Sequence, residues 1–166
     1  MNQTIEKTTL SNLVFNEDYC RKVLPFIKPD YFDIKEEKVV FEEIIKFVDK
    51  YKKIPTKTSL EIEIEHRKDL TEVEHDKVVE LIQSLNPAEV DFDWLVDTTE
   101  KFCKDKAIYH AVVEGISIID GKDKKRSPDA IPSILTDALA VSFDNAVGHD
   151  YFDDSDKRFE FYHKIE

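Results

Sequence analysis

The chain has 166 residues, of which 41% are hydrophobic and 36% are charged, which is enough apolar material for one domain with a core. Its formal net charge of −12 argues against direct DNA binding, because proteins that bind DNA neutralise phosphates with Lys and Arg. The N-terminus has no signal-peptide pattern and no apolar run is long enough to span a membrane, so we expect a soluble, intracellular protein without a membrane partner.

Glycine and cysteine usage both favour a helical, intracellular protein. Only three glycines occur, whereas all-β folds depend on many glycine-rich turns, so we predict an all-α fold. Cys20 and Cys103 lie far apart on helical patterns. We expect buried free thiols rather than a disulfide, which is the less favoured alternative.

The first three predicted helices end at prolines or turns. A short amphipathic helix covers residues 4–15, and Asn16 offers a cap for a second helix that ends before Pro25. A third carries an apolar stripe from Val40 to Tyr51. We predict that Asp33 caps this helix, with Glu36 completing a variant of the capping box.

Two shorter helices are predicted next. Residues 58–66 alternate apolar and acidic side chains as a strand does, but a single strand would have no partner in this chain, so we predict a short helix. Thr71 and Glu74 form a capping box that opens a helix ending near Leu85.

A long helix is predicted for residues 93–119, and its rise of 1.5 Å per residue gives a length of roughly 40 Å. That length exceeds what a small core needs, so we expect it to pair with another helix of this chain or of a neighbour. The residues near one of its faces are Leu95, Thr98, Phe102, Tyr109, Val112, Val113 and Ile116.

Beyond the long helix the sequence predicts a flexible linker over residues 120–130, which are polar and bounded by Gly121 and Pro128. Residues 131–143 then form an amphipathic linker helix. We favour docking of this helix on a neighbouring subunit, while folding back onto the long helix stays open. The predicted docking residues are Ile131, Ile134, Leu135, Ala138, Leu139 and Phe143.

The last predicted segment is an acidic lead-in over residues 144–166, with a helical piece at 157–165. No cap, glycine or proline closes that piece, so we expect the sequence to continue in a longer protein. His149, Asp150, Asp153 and Asp154 could bind a hard cation, but nothing enforces a converging turn and a solvated loop is favoured.

Motifs for catalysis are missing from the sequence. The phosphate-binding pattern GxxxxGK[ST] does not occur, and no histidine stands at a zinc-ligand spacing from Cys or another His. We therefore predict no catalytic, cofactor or metal site, no ATP turnover by this chain, and weak binding to single-stranded DNA.

The segments LSNLVFNEDYCRKVLPFIKPDYF and VVFEEIIKFVDKYKKIPT resemble the N-terminal domain of DnaB-type hexameric replicative helicases. Within that family, DFDWLVDTTEKF and AIPSILTDALAVSFDNAVGHDYFDD are similar to the replicative helicases of T-even-type bacteriophages. The resemblance implies a helical N-terminal domain over residues 1–119, a helix of a helical hairpin at 93–119, and a linker helix. It also implies a following RecA-like ATPase domain, which uses ATP and Mg and which these residues do not include.

What the resemblance implies for function is a non-catalytic assembly and interaction module of a ring helicase. Such domains form a collar in a hexamer, contact primase and the helicase loader, and belong to a 5′–3′ DNA helicase; the setting would be the cytoplasm of an infected bacterium. The alternative hypothesis is a free-standing acidic protein that mimics DNA or inhibits a host enzyme. Mimicry predicts carboxylates on one face, but here they are interspersed with 24 Lys and Arg residues.

Overall fold

The computed structural model describes residues 4–87, 89–143 and Phe152. In these residues there is no strand, and the all-α prediction is confirmed. Short 3-10 turns occur at Leu24–Phe26, Pro29–Tyr31 and Pro128–Ala130. The helices are α1 (Ile5–Phe15), α2 (Glu17–Val23), α3 (Lys35–Tyr51), α4 (Lys57–Glu65), α5 (Glu72–Ser84), α6 (Phe92–Ile119) and α7 (Ile131–Leu139).

None of the helices in the described part of the chain is long and apolar enough to cross a membrane. The helical piece predicted at 157–165 lies outside the described residues, as do the four candidate cation ligands near residue 150.

Helices α1 to α5 and the first half of α6 form a bundle that we call the head. Helix α3 lies in its middle and contacts α1, α4 and α5. Its apolar stripe is buried from Val40 to Val48, because Val40, Phe41, Ile44 and Val48 recur at steps of one to four residues on one side. Tyr51, the last residue of the predicted stripe, is 47% exposed. The side chains that complete this core include Leu10, Leu13, Tyr19, Val23, Leu24, Leu60, Ile64, Ile82, Leu85, Leu95 and Cys103.

Side-chain caps fix where most of the head helices begin. The Asn16 side-chain oxygen accepts a hydrogen bond of 3.0 Å from the backbone N–H of Tyr19, as the sequence predicts for α2. Thr71 and Glu74 form the predicted capping box of α5. Together these caps bind backbone N–H groups that a helix start leaves without a partner.

The predicted cap of α3 is wrong. Ile34 occupies the N-cap position, and no side chain accepts a hydrogen bond there. The carboxylate of Asp33 instead pairs with Lys106 of α6. Asp33 stands one residue before the cap position, and the ion pair draws its side chain towards α6.

The ambiguous segment around residue 60 is a helix, as predicted. In α4, Leu60 and Ile64 are fully buried while Ile62, which lies between them in sequence, is 50% exposed. Spacing by four residues puts Leu60 and Ile64 on one face, whereas a strand would have put all three together. The Lys57 ammonium at the start of α4 donates to the carbonyl oxygens of Gln83 and Leu85, which satisfies the end of α5.

Candidate interaction surface on the helical hairpin

The first half of α6 belongs to the core of the head. Leu95, Val96 and Phe102 are buried there against α1, α2 and the turn at Pro29–Tyr31. The hydroxyls of Tyr19 and Thr99 lie 2.6 Å apart, and Thr99 also donates to the carbonyl of Leu95. These buried contacts fix the direction in which α6 leaves the head.

The second half of α6 leaves the head and pairs with α7, which runs back along it to form a hairpin. Ala111, Gly115 and Ile118 are buried on the side that α7 covers. At Gly115 a β-carbon would lie 3.5 Å from Ile131 Cγ2, which is an ordinary contact, so the Ile131 side chain of α7 packs over this position.

Residues 120–130, which the sequence predicts to be a flexible linker, contain a hydrogen-bonded turn; their flexibility stays a prediction. Gly121 adopts a φ of +75°, and the backbone N–H groups of Lys122 and Asp123 donate to the Ser117 carbonyl. The Arg126 guanidinium binds Asp123 at 2.7 Å and approaches Glu114 of α6 at 3.6 Å. These contacts tie the turn to the second half of α6.

One side of this hairpin exposes apolar side chains to solvent. Residues 108, 112, 116 and 119 of α6 recur at three- and four-residue steps, so they share one face. Their exposed fractions, with those of their neighbours and of Leu139 on α7, lie between 36% and 69%. We call this set the hairpin face: Ile108, Tyr109, Val112, Val113, Ile116, Ile119 and Leu139.

The six predicted docking residues lie in four different environments. Ala138 is buried against α6, and Ile131, Ile134 and Leu135 are half-buried on α7. Phe143 lies beyond the end of α7, where its ring stacks on Phe26 at 4.9 Å and its N–H donates to the Glu100 carboxylate. Leu139 is 69% exposed and belongs to the hairpin face.

The arrangement of α7 is therefore the one that the sequence left open as the alternative, because the helix folds back onto α6. Its apolar stripe finds a partner within the chain, since the turn at residues 120–130 is short enough to reverse the direction. Whether these six residues also dock on another subunit stays a prediction.

The exposed α6 residues are absent from the predicted docking set, although four of them stand in the stripe predicted for the long helix. The sequence carried one signal for them: α6 is longer than the head needs. Deciding which half of the stripe is exposed requires the packing of the head.

Comparison with known protein families matches residues 1–93 to the family described as the DnaB-like helicase N-terminal domain. The match covers more than half of the chain. The chain belongs to this family.

A relative of this DnaB-like domain is the protein of Enterobacteria phage T4 described as a DnaB-like replicative helicase. The two are 35% identical over 158 residues, which is 90% of this chain and 33% of the relative. The chain thus spans about a third of the length of that relative.

The two cysteines of the DnaB-like domain are buried. Cys20 and Cys103 are both buried free thiols, as predicted, and burial raises the pKa of each to about 12. At neutral pH both are thiols rather than thiolates, so neither is a nucleophile. In the part of the chain that the structure describes, no group of His, Cys, Asp and Glu is placed to hold a metal ion.

Proposed function

We propose that the chain is the non-catalytic assembly and protein-interaction part of a ring-shaped replicative DNA helicase. In this proposal the hairpin face packs against other copies of the chain and so contributes to a hexameric collar. The observation that carries it is the hairpin face, a set of seven exposed large apolar side chains on a pair of helices.

The composition of the hairpin face supports a second copy as its occupant. Large exposed apolar patches on soluble proteins mark sites of association. A symmetric pair buries the same patch on both subunits, so an apolar face without dominant charge is complementary to itself. Its seven members are uncharged, whereas the overall chain carries −12 and would repel a copy elsewhere.

The activity of the whole helicase follows from the same proposal. ATP and Mg would be held by an ATPase domain outside these residues, and unwinding in the 5′–3′ direction would occur there. Primase and the helicase loader are the proposed protein partners of the collar, in the cytoplasm of an infected bacterium. The relative's description as a replicative helicase supports this setting.

The test of self-association is sedimentation velocity on the chain up to submillimolar concentration. We expect the wild type to form oligomers and Val112→Asp/Ile116→Asp to sediment as a monomer, because each change puts a charge into an apolar contact. Leu135→Asp/Leu139→Asp tests the α7 side in the same way. Both side chains changed on α6 are about half exposed, so circular dichroism should show an unchanged helix content.

The matched control is Ile62→Asp, whose side chain is 50% exposed on α4 of the head. It introduces the same charge on a different surface and should leave the sedimentation of the chain unchanged. A monomeric wild type at all concentrations, or equal loss of assembly in Ile62→Asp, would contradict the proposed role of the hairpin face.

A further inference from the structure

A second surface is an open groove of about 350 Å³ on the head. It is found where α1 ends, α2 begins and the segment after α5 passes. The Phe15 ring is 41% exposed there. We call it the head groove, and its lining residues are Asn12, Phe15, Asn16, Glu17, Asp18 and Pro87.

The head groove has a mostly polar lining that contains two apolar side chains and two carboxylates. Phe15 and Pro87 supply the apolar surface, and Glu17 and Asp18 supply the carboxylates. Arg21 approaches Glu17 at 3.7 Å, but both side chains are close to half exposed, so the pair is screened by water. The rim therefore keeps a negative potential.

The chain that leaves the groove at Pro87 continues the same character. From residue 78 to residue 100 the sequence contains no Lys or Arg. Four exposed carboxylates alternate with exposed apolar side chains between residues 89 and 97. The apolar members, Val90, Phe92 and Trp94, are 39%, 38% and 53% exposed.

The head groove and the hairpin face share no residue. Along α6, Trp94 and Ile108, the first member of the hairpin face, are separated by 14 residues, or roughly 21 Å at 1.5 Å per residue. If the hairpin face is covered by another subunit, as the proposed function has it, the groove and the segment after it remain accessible on the head.

We propose that the head groove binds an amphipathic segment of a partner protein that carries Lys or Arg beside large apolar side chains. The apolar side chains would pack on Phe15 and Pro87, and the cations would face Glu17 and Asp18. Charge complementarity selects this partner, because Asp18 and the loosely paired, water-screened Glu17 attract a basic segment and repel an acidic one. Nucleic acid is disfavoured for the same reason, since its phosphates would face the acidic rim.

The inference is tested with a fluorescent synthetic helical peptide that has a leucine face and a lysine face. Its binding is measured by fluorescence anisotropy at physiological salt, and the amide chemical shifts of the chain locate the contact. A second peptide carries glutamate in place of lysine. We expect the lysine peptide to shift the amides of Asn16, Asp18 and Val90, and the glutamate peptide to leave them unchanged.

Two variants separate the groove from the overall acidity of the chain. Glu17→Gln/Asp18→Asn should lower the affinity for the lysine peptide about five-fold, as expected for two partly screened rim charges. The control Glu72→Gln/Asp76→Asn removes the same charge near the start of α5 and should leave the affinity unchanged. Phe15→Ser keeps the charge and should also weaken binding, while a thermal melt checks that it is folded.

Equal weakening by the two charge variants would mean attraction to the net charge alone and would overturn the inference, as would binding of the glutamate peptide. The monomeric variant Val112→Asp/Ile116→Asp should bind the peptide as the wild type does. Loss of binding there would place the peptide on the hairpin face, so the groove inference would fail while self-association stood. If the wild type binds the lysine peptide at the groove but never oligomerises, the groove inference stands and the proposed self-association fails.

Discussion

The two halves of α6 differ in what covers them, although they belong to one continuous helix. In the first half, Leu95, Thr99 and Phe102 are enclosed by the head. In the second half only the side facing α7 is buried, and Val112 and Ile116 remain about half exposed. The head thus completes its own core, whereas the hairpin satisfies one side and leaves another available for association.

The largest expected contrast between these regions comes from one substitution made in each. Leu13 is fully buried in the head and Leu139 is 69% exposed on the hairpin. Leu13→Ala should lower the free energy of unfolding by about 2–5 kcal/mol, because it removes buried methyl groups and leaves a cavity. Leu139→Ala should change it by less than about 0.5 kcal/mol.

Urea denaturation followed by circular dichroism measures both values. It should be done at a concentration where the chain is monomeric, since association would add to the apparent stability. If Leu139→Ala costs as much as Leu13→Ala, the hairpin is part of the core and the contrast between the two regions fails.

The second contrast is in how stability depends on pH. Both buried carboxylates of the described residues lie on α3 of the head. Glu43 is paired with Arg67 at 2.9 Å and with Lys46 at 3.2 Å. Glu37 is only 7% exposed, and its Oε1 has no hydrogen-bond partner among the described residues. Burial, then the nearby carboxylates of Glu6, Glu36 and Asp33, raises the pKa of Glu37 to about 7, against a smaller opposing effect of Lys7.

The sign of the effect follows from proton binding. Between its ordinary pKa of 4.5 and the raised value of about 7, the folded state holds a proton on Glu37 that the unfolded state has released. The free energy of unfolding should therefore fall by roughly 1–3 kcal/mol as the pH rises through that window, and stay level above it.

Glu37→Gln should remove most of this slope, since the amide stays neutral at every pH in the window. Urea denaturation of both proteins between pH 4.5 and pH 8 measures it. Glu36→Gln, in the same turn of α3, is the control and should keep most of the slope. Identical slopes in the wild type and Glu37→Gln would show that this carboxylate is not the source.

The smallest expected effect is a gain of stability in the hairpin. Gly115→Ala should stabilise the second half of α6 by about 0.5–1 kcal/mol, because alanine restricts the unfolded chain and favours helix. The added β-carbon would meet Ile131 Cγ2 at 3.5 Å, which is an ordinary contact. Slower amide hydrogen exchange at residues 111–119 is the measurement that reports it.

Gly121→Ala is the matched control, and its effect should have the opposite sign. The φ of +75° at Gly121 is costly for alanine, although no atom lies within 4 Å of the added β-carbon. Faster exchange in Gly115→Ala would mean that α7 cannot accommodate even a methyl group at this crossing.

Local sequence determined the helices and most of their starts. Side chains one to three residues from a backbone N–H act within one turn, so the Asn16 cap and the Thr71–Glu74 capping box are readable in the sequence. The same reading failed at Asp33, because Lys106 competes for its carboxylate from 73 residues away. A cap can thus be predicted only where no distant charge claims the side chain.

Tertiary structure decided which apolar surfaces are exposed. The apolar stripe of α6 has the same sequence pattern along its length, but the head covers Phe102 and leaves Val112 exposed to solvent. Likewise, the apolar face of α7 predicts a docking helix, and only the turn at residues 120–130 determines that it folds back onto α6. Periodicity specifies that a face must be buried, whereas the partner that buries it depends on contacts between residues distant in sequence.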